Sequence, residues 1–243
     1  MSAGSWDSHL CKLGKKDNRL SYRNFVKSAM IWHISHFKVS IMGNRLSKIY
    51  TRTGDDGTTG MADGSRISKS DLRFDAMGKI DLLNSQIGLL RGYLSQDNHT
   101  QNRQAQPNHV QPNHAQFDTK LSRLQHQLFN LGGELAMPEY RGILAEYVTQ
   151  LENQIDEWNT HLPPLKDFIL PAGTLVTSQV HIARCYCRDA ERLLVALNSR
   201  DDNVSPITLQ FINRLSDWLF VLARVIARLD AGQEVLWDKT TLS

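Results

Sequence analysis

Between residues 206 and 232 one pattern leaves little choice of fold. Ile207, Phe211, Leu215, Leu219, Leu222, Ile226 and Leu229 recur at steps of three and four, a period that lines one face of an α-helix and no face of a strand. Ser205 followed by Pro206 offers an N-cap with proline at the first helical position, and Gly232 offers the stop. The same stepping returns in Phe117, Leu121, Leu124, Leu128 and Leu131, and again in Leu144, Tyr147, Leu151, Ile155 and Trp158. Two more helical stretches, at about 71–94 and about 174–197, and few convincing strands complete the pattern. The fold class is all-α: a five-helix bundle in which each apolar stripe is buried against another.

None of these helices is expected in a membrane. Arg224 and Arg228 cut the apolar run at 218–229, and no stretch reaches the roughly 18 uncharged residues a span requires. Charge excludes a second class of function. The net charge is +3, but residues 1–41 hold seven Lys/Arg against two Asp, which leaves 21 Lys/Arg against 23 Asp/Glu for residues 42–243. A near-neutral body lacks the basic field that collects a phosphate backbone, so nucleic acid is not a partner. Three cysteines in 243 residues cannot build a disulfide framework, which fits a reducing, cytoplasmic setting.

Residues 1–41 show no sustained period, and the apolar piece at 29–39 is interrupted by His33, His36 and Lys38. They read as a poorly ordered N-terminal extension, with an organelle leader as the competing reading and Met42 as an alternative start. Residues 42–243 form the bundle domain. Within it, residues 95–116 are a polar stretch where QPNHV at 106–110 is followed by QPNHA at 111–115. That composition cannot build a core, and a mobile loop is expected. His99, His109 and His114 lie in it without a cysteine or carboxylate cluster, so no metal site is assigned.

The residues that carry chemistry begin just before the first helix. Gly54, Gly57 and Gly60 punctuate a segment that also holds Thr51, Thr53, Thr58 and Thr59, with Lys69 downstream. Glycines there let backbone N–H groups converge and the hydroxyls add donors, a set suited to a polyphosphate; an ordinary Gly/Asp turn reads the same residues blandly. It is not a Walker loop, since no Gly-x-x-x-x-Gly-Lys-Ser/Thr occurs. On the fourth helix Arg184, Arg188 and Arg192 share one face, with Glu191 just off it. Ile182, Cys185, Leu193 and Leu194 around them leave little room for a wholly exposed face, so these guanidiniums need anions: carboxylates from another helix, or a ligand's phosphates. Asp81 with Asn84, and Asn213 with Asp217, are polar pairs one turn apart on otherwise apolar stripes. Phe168, in an apolar turn, is either a core anchor or the wall of a flat pocket. Cys185 and Cys187 point to different faces, and the Glu-x-x-His pattern of di-iron bundles is absent.

Five segments, TRTGDDGTT at 51–59, DLLNS at 81–85, FILPAG at 168–173, RDAER at 188–192 and NRLSD at 213–217, together resemble the PduO-type ATP:cob(I)alamin adenosyltransferases. The likeness covers about residues 44–239, leaving out the leader and the His/Gln loop. It implies a homotrimer of five-helix bundles with an N-terminal phosphate-binding loop, in which ATP and the corrinoid meet at each subunit interface. It implies that Thr51, Arg52, Thr53, Gly54, Thr59, Gly60 and Lys69 hold the ATP phosphates and their Mg2+ environment, and that Arg188, Glu191, Arg192 and Asn213 complete the nucleotide site. Asp81 and Arg184 match the family's intersubunit salt bridge at the corrinoid end, and Phe168 the aromatic that occupies the lower face of cobalamin. The implied reaction transfers the 5′-deoxyadenosyl group of ATP to cob(I)alamin and releases triphosphate. The implied partners are a corrinoid reductase and an adenosylcobalamin-dependent enzyme that receives the product. Three residues depart from the pattern: Asp189 stands at a usual arginine, Leu82 at a usual glutamate and Ala172 at a usual glycine. Asp189 sets a negative charge beside the phosphate site, offset if a lysine lies near, and keeps a non-catalytic corrinoid-binding or delivery protein as the alternative.

Overall fold

A computed structural model of the chain describes residues 50–104, 115–137 and 139–242. The chain divides into two units, Met1–Thr53 and Gly54–Ser243. Of the first, residues 50–53 are described; the extension expected at 1–41 lies outside the described residues. In this short piece Arg52 adopts a positive φ of 60° and lies 5.7 Å from the Tyr50 ring, and the hydroxyls of Thr51 and Thr53 are hydrogen-bonded at 2.8 Å.

The second unit holds all five expected helices: α1 (Leu72–Gln104), α2 (Ala115–Ala136), α3 (Ala145–Asn159), α4 (Leu175–Asp201) and α5 (Pro206–Ala231). Helix α1 runs past the expected end near 94, to Gln104, ten residues into the stretch expected to be a loop; residues 105–114 lie outside the described residues. Asp71 starts α1, its carboxylate accepting from the Arg73 N–H at 2.8 Å, which satisfies one of the orphan donors of a helix N-terminus. Thr174 and Ser205 do the same for α4 and α5, accepting from the N–H groups of Thr177 and Ile207. Gly232 ends α5 in the left-handed region at φ 77°, a conformation that glycine adopts without strain.

Helix α1 packs on α2 and α4, α4 packs also on α5, and α5 also on α3. Because α5 is covered on two sides, its core face is wider than one stripe: Ile212, Trp218 and Ala223 are buried along with Phe211, Leu215, Leu219, Leu222 and Ile226. The last expected stripe residue, Leu229, is instead partly exposed as the helix runs out. Leu144 is likewise the exposed N-cap of α3, where Val148 takes its expected place in the core. Trp158 of α3 lies between Phe117 of α2 and Trp218 of α5, at ring distances of 6.0 and 5.1 Å, a large apolar contact with edge-on or tilted rings.

Buried polar groups tie the connections down. Glu134 accepts from the N–H groups of Gly142 and Ile143 at 2.7 and 2.8 Å and from the Thr208 hydroxyl. Arg73 of α1 pairs with Asp201 of α4 at 2.7 Å, and Arg200 with Asp71 at 3.0 Å, so the start of α1 is fastened to the end of α4. Ahead of α1 stands a hairpin that the sequence pattern does not announce: β1 (Thr58–Gly60) pairs antiparallel with β2 (Arg66–Ser68), Thr59 opposite Ile67.

Candidate functional site

The segment from Gly54 to Lys69 is a turn at 54–57 followed by that hairpin, joined again where the Lys69 N–H donates to the Gly57 carbonyl at 2.9 Å. Gly57 has φ 82°, so here a glycine is required. Gly54 is closely packed: a Cβ there would come within 3.1 Å of both Lys69 Nζ and the Thr58 carbonyl oxygen, so these neighbours would have to give by a few tenths of an ångström. Gly60 meets neither condition, since its φ is not positive and nothing lies within 4 Å of where its Cβ would be; of the three expected glycines, Gly57 alone uses a backbone angle that favours glycine. Lys69 Nζ donates to the Gly54 carbonyl at 2.7 Å, which brings the expected lysine onto the loop. The Asp56 carboxylate accepts from the Thr58 N–H and hydroxyl at 2.9 and 2.8 Å, and these bonds, the backbone one foremost, hold it below the usual carboxylate range. That N–H is therefore already engaged. The Thr58 hydroxyl also accepts from the Arg66 guanidinium, at 2.6 Å from Nη2. Thr51, Arg52 and Thr53 belong to the other unit and are exposed.

On α4 the expected enclosure of the arginine face is not found in the single chain. Ile182 is 45% exposed and Cys185 is exposed too, while Leu194 is buried in the core. Arg188 is exposed and has no ion pair among the described residues. Arg192 donates through Nη2 to Asp189 at 2.9 Å, and the other oxygen of Asp189 takes Lys79 of α1 at 2.7 Å. Those contacts, Lys79 first, hold the Asp189 carboxyl below its usual range, and the lysine correspondingly rises. The lysine that would offset Asp189 is thus present. Glu191 accepts from Asn213 of α5 at 2.8 Å, so two expected nucleotide residues from different helices meet.

Arg184 and Asp81 do not pair within one chain. Arg184 is half-buried, with Nε enclosed and unpartnered. Asp81 lines a groove between α1 and α2 with Asn84, Gln125 and Phe129, and makes no ion pair among the described residues. Asp217, of the polar pair on α5, is taken by Arg214 at 3.1 Å. Asn84 donates to the Gln125 carbonyl at 3.2 Å while Gln125 returns a bond to the Asn84 carbonyl. Beside the stripe, His181 is buried with Nδ1 unpartnered; burial first, then the charge of Arg184, lowers its pKa to about 4.

Phe168 is no core anchor. It is 77% exposed, held in a strap made by residues 168–170 and 235–237: the Trp237 N–H donates to the Phe168 carbonyl at 2.8 Å, and that of Leu170 to Val235 at 2.9 Å. Trp237 sets its ring edge-on to Phe168 at 6.1 Å, and both line a hollow with Leu165 and Lys239. Next to the strap in sequence lies a buried charge cluster. Glu234 accepts from Arg224 at 2.9 Å and Arg228 at 2.6 Å, and Arg224 also donates to the Pro163 carbonyl at 2.7 Å. Sequence reasoning missed Trp237 and this cluster. The only signal was Arg224 and Arg228, which read as interruptions of an apolar run.

Three comparisons with known proteins bear on this arrangement. A family model described as cobalamin adenosyltransferase matches residues 49–226. The chain is 47% identical over 199 residues to a cobalamin adenosyltransferase of Cupriavidus metallidurans, covering 82% of this chain and 98% of that protein. It is 37% identical to the corrinoid adenosyltransferase of Bacillus subtilis, covering 80% of this chain and 94% of that one. A solved phenylalanine-to-alanine variant of a PduO-type ATP:corrinoid adenosyltransferase from Lactobacillus reuteri, complexed with cobalamin and ATP, superposes with a TM-score of 0.67 at 31% identity, over 79% of this chain and 100% of that one.

Proposed function

The chain belongs to the cobalamin adenosyltransferase family, and from that premise we propose that it transfers the 5′-deoxyadenosyl group of ATP to cob(I)alamin, giving adenosylcobalamin and triphosphate. The observation that carries this reading is Phe168. An aromatic ring 77% exposed, fixed by backbone bonds between residues 168–170 and 235–237 rather than packed inward, has no part in the core and suits the flat face of a corrinoid.

In the reaction the cobalt(I) electron pair attacks C5′ of the ribose, the cobalt–carbon bond forms, and the C5′–oxygen bond breaks with its electrons leaving on triphosphate. Cobalt(I) is already a strong nucleophile, so no side chain need act as base. The protein places the two substrates and neutralises the departing charge. Thr51, Arg52, Thr53, Gly54, Thr59, Gly60 and Lys69 are assigned to the triphosphate, and Arg188, Glu191, Arg192 and Asn213 complete the nucleotide site. The unpaired Arg188 and the Glu191–Asn213 bond support that assignment. Phe168 covers the lower face of the corrinoid and keeps a donor ligand off cobalt, which favours the electron-rich metal.

The hydroxyls of Thr51, Thr53 and Thr59 would help hold a Mg2+ ion beside the triphosphate. Its preference for phosphate oxygens, water and one or two protein oxygens fits the threonine hydroxyls and needs no cage of carboxylates. Bound there it would add positive charge at the triphosphate.

The functional unit is a homotrimer. Supporting it are the enclosed, unpartnered Nε of Arg184, the unpaired Asp81, and the exposed Ile182 and Phe129, each of which a second copy would satisfy. A reductase must supply cobalt(I), and an adenosylcobalamin-dependent enzyme takes the product. No helix among the described residues is long and apolar enough to cross a membrane; a cytoplasmic location is supported by the free thiols of Cys185 and Cys187.

The test is direct. Purified protein supplied with reductant, cobalamin and MgATP should convert the visible spectrum of the reduced corrinoid to that of the alkylated one with stoichiometric triphosphate. Stable cobalamin binding with no triphosphate would instead select a delivery protein.

A further inference from the structure

Lys79, Asp189 and Arg192 form a chain of charges across the α1–α4 contact, and its geometry is unequal. Asp189 gives one oxygen to Lys79 at 2.7 Å and the other to Arg192 at 2.9 Å. Among the described residues Arg192 spends only Nη2 on this contact, and its side chain is 67% exposed. A carboxylate facing a guanidinium with nothing else near closes into the two-bond fork, which uses both outward nitrogens of one edge. Lys79 engages the second oxygen instead, and among the described residues Nε and Nη1 of Arg192 make no hydrogen bond.

We propose that Lys79 is a positioning residue for ATP: it holds Asp189 to a single bond with Arg192, keeping the rest of that guanidinium, and the positive field around it, available to the triphosphate. This rests on the assignment of Arg192 to the nucleotide site. Lys79 touches no substrate. It acts through Asp189, offsetting a negative charge that lies beside the arginine assigned to the phosphate oxygens. The hydrogen bond to Asp189, and then its charge, raise the pKa of the lysine above its ordinary value.

The experiment measures the dissociation constant of MgATP by titration calorimetry, and kcat and KM for ATP and cobalamin, on the full chain and three variants. Lys79→Ala should weaken MgATP binding by about tenfold, the order expected for losing one charge-assisted contact, and raise KM for ATP with little change in KM for cobalamin. Lys79→Arg should stay within about twofold of the parent, because the charge is kept. Lys79→Ala combined with Asp189→Asn should return ATP affinity to within about twofold of the parent, since the carboxylate that captured Arg192 is gone. A role confined to fastening α1 to α4 would lower the melting temperature of both Lys79→Ala proteins and leave ATP affinity unmoved, which overturns the proposal. An unrestored double variant overturns it equally. A parent protein that binds no MgATP at all removes the functional reading and this proposal together, whereas a binding-competent parent with an indifferent Lys79→Ala removes this proposal alone.

Discussion

Arg188 and Phe168 are both left outside the core, and the two kinds of exposure have different consequences. Arg188 costs nothing to expose because water solvates it; an anion gains by displacing that water and taking the planar fork. Arg188→Ala should therefore weaken MgATP binding by about ten- to a hundredfold, and Arg188→Lys by less, since charge survives and the fork does not. Phe168 exposes carbon, which only an apolar partner rewards. Phe168→Ala should leave the ATP dissociation constant within about twofold while slowing cobalt–carbon bond formation by about tenfold or more, both read in one stopped-flow series at saturating reductant. Equal changes in ATP affinity for the two variants would undo this division of labour. His181 gives a pH prediction. It is neutral in the folded chain, with its pKa lowered from 6.5 to about 4 by burial and then by Arg184. The unfolded chain binds the proton first, so stability is full above pH 6.5 and falls as pH drops toward about 4. Thermal melts of the parent should decline across that window, and His181→Gln should flatten the part due to this side chain.

Elements, rather than single residues, hold the aromatic wall. The strap bearing Trp237 is fastened to α5 by Glu234 lying between Arg224 and Arg228. Burial alone would push the Glu234 carboxyl up, but the hydrogen bonds it accepts, that of Arg228 foremost, outweigh burial and hold it below the usual glutamate range. Glu234→Gln removes the charge and leaves two guanidiniums facing a neutral amide, at a cost of about 3 kcal/mol. Assayed well below its melting temperature, this variant should resemble Phe168→Ala, slow in alkylation and normal in ATP affinity; normal alkylation would show that the strap does not position the wall. None of this was legible in the sequence, and the reason is range. Helical periods and caps are local, so Ser205, Pro206 and Gly232 announced the ends of α5 correctly. The partnership of Arg224 with Glu234 depends on the chain reversing at Gly232, which no spacing records. The hairpin was missed for a related reason: its strands are three residues each, TTG and RIS, too short and polar to show a period. At Leu144 and Leu229 the period was right but the helix end overrode it.

The molecule as a whole decides whether the site exists at all. The family motifs were legible in the sequence as separate segments. Whether their residues meet was not, because Asp81 and Arg184 have no ion-pair partner among the described residues. A half-buried guanidinium with an enclosed, unpartnered Nε is costly unless something covers and satisfies it. A second copy does both if Asp81 on its α1–α2 groove meets Arg184 on α4. Such a contact joins two different surfaces and is heterologous, so it must close into a ring or run on as a filament. In the proposed trimer three copies would close that ring, each chain presenting one donor face and one acceptor face. Arg184→Asp alone, or Asp81→Arg alone, sets like charges opposite each other and should dissociate the assembly, seen by light scattering coupled to size exclusion. Adenosylation should be lost with it, because the corrinoid end of each site is then open. The double swap restores an opposite-charge pair with reversed polarity and should recover the trimer mass. A parent protein that runs as a monomer at assay concentration while still making adenosylcobalamin would sink the interfacial site, and with it the pairing of Asp81 with Arg184 across subunits.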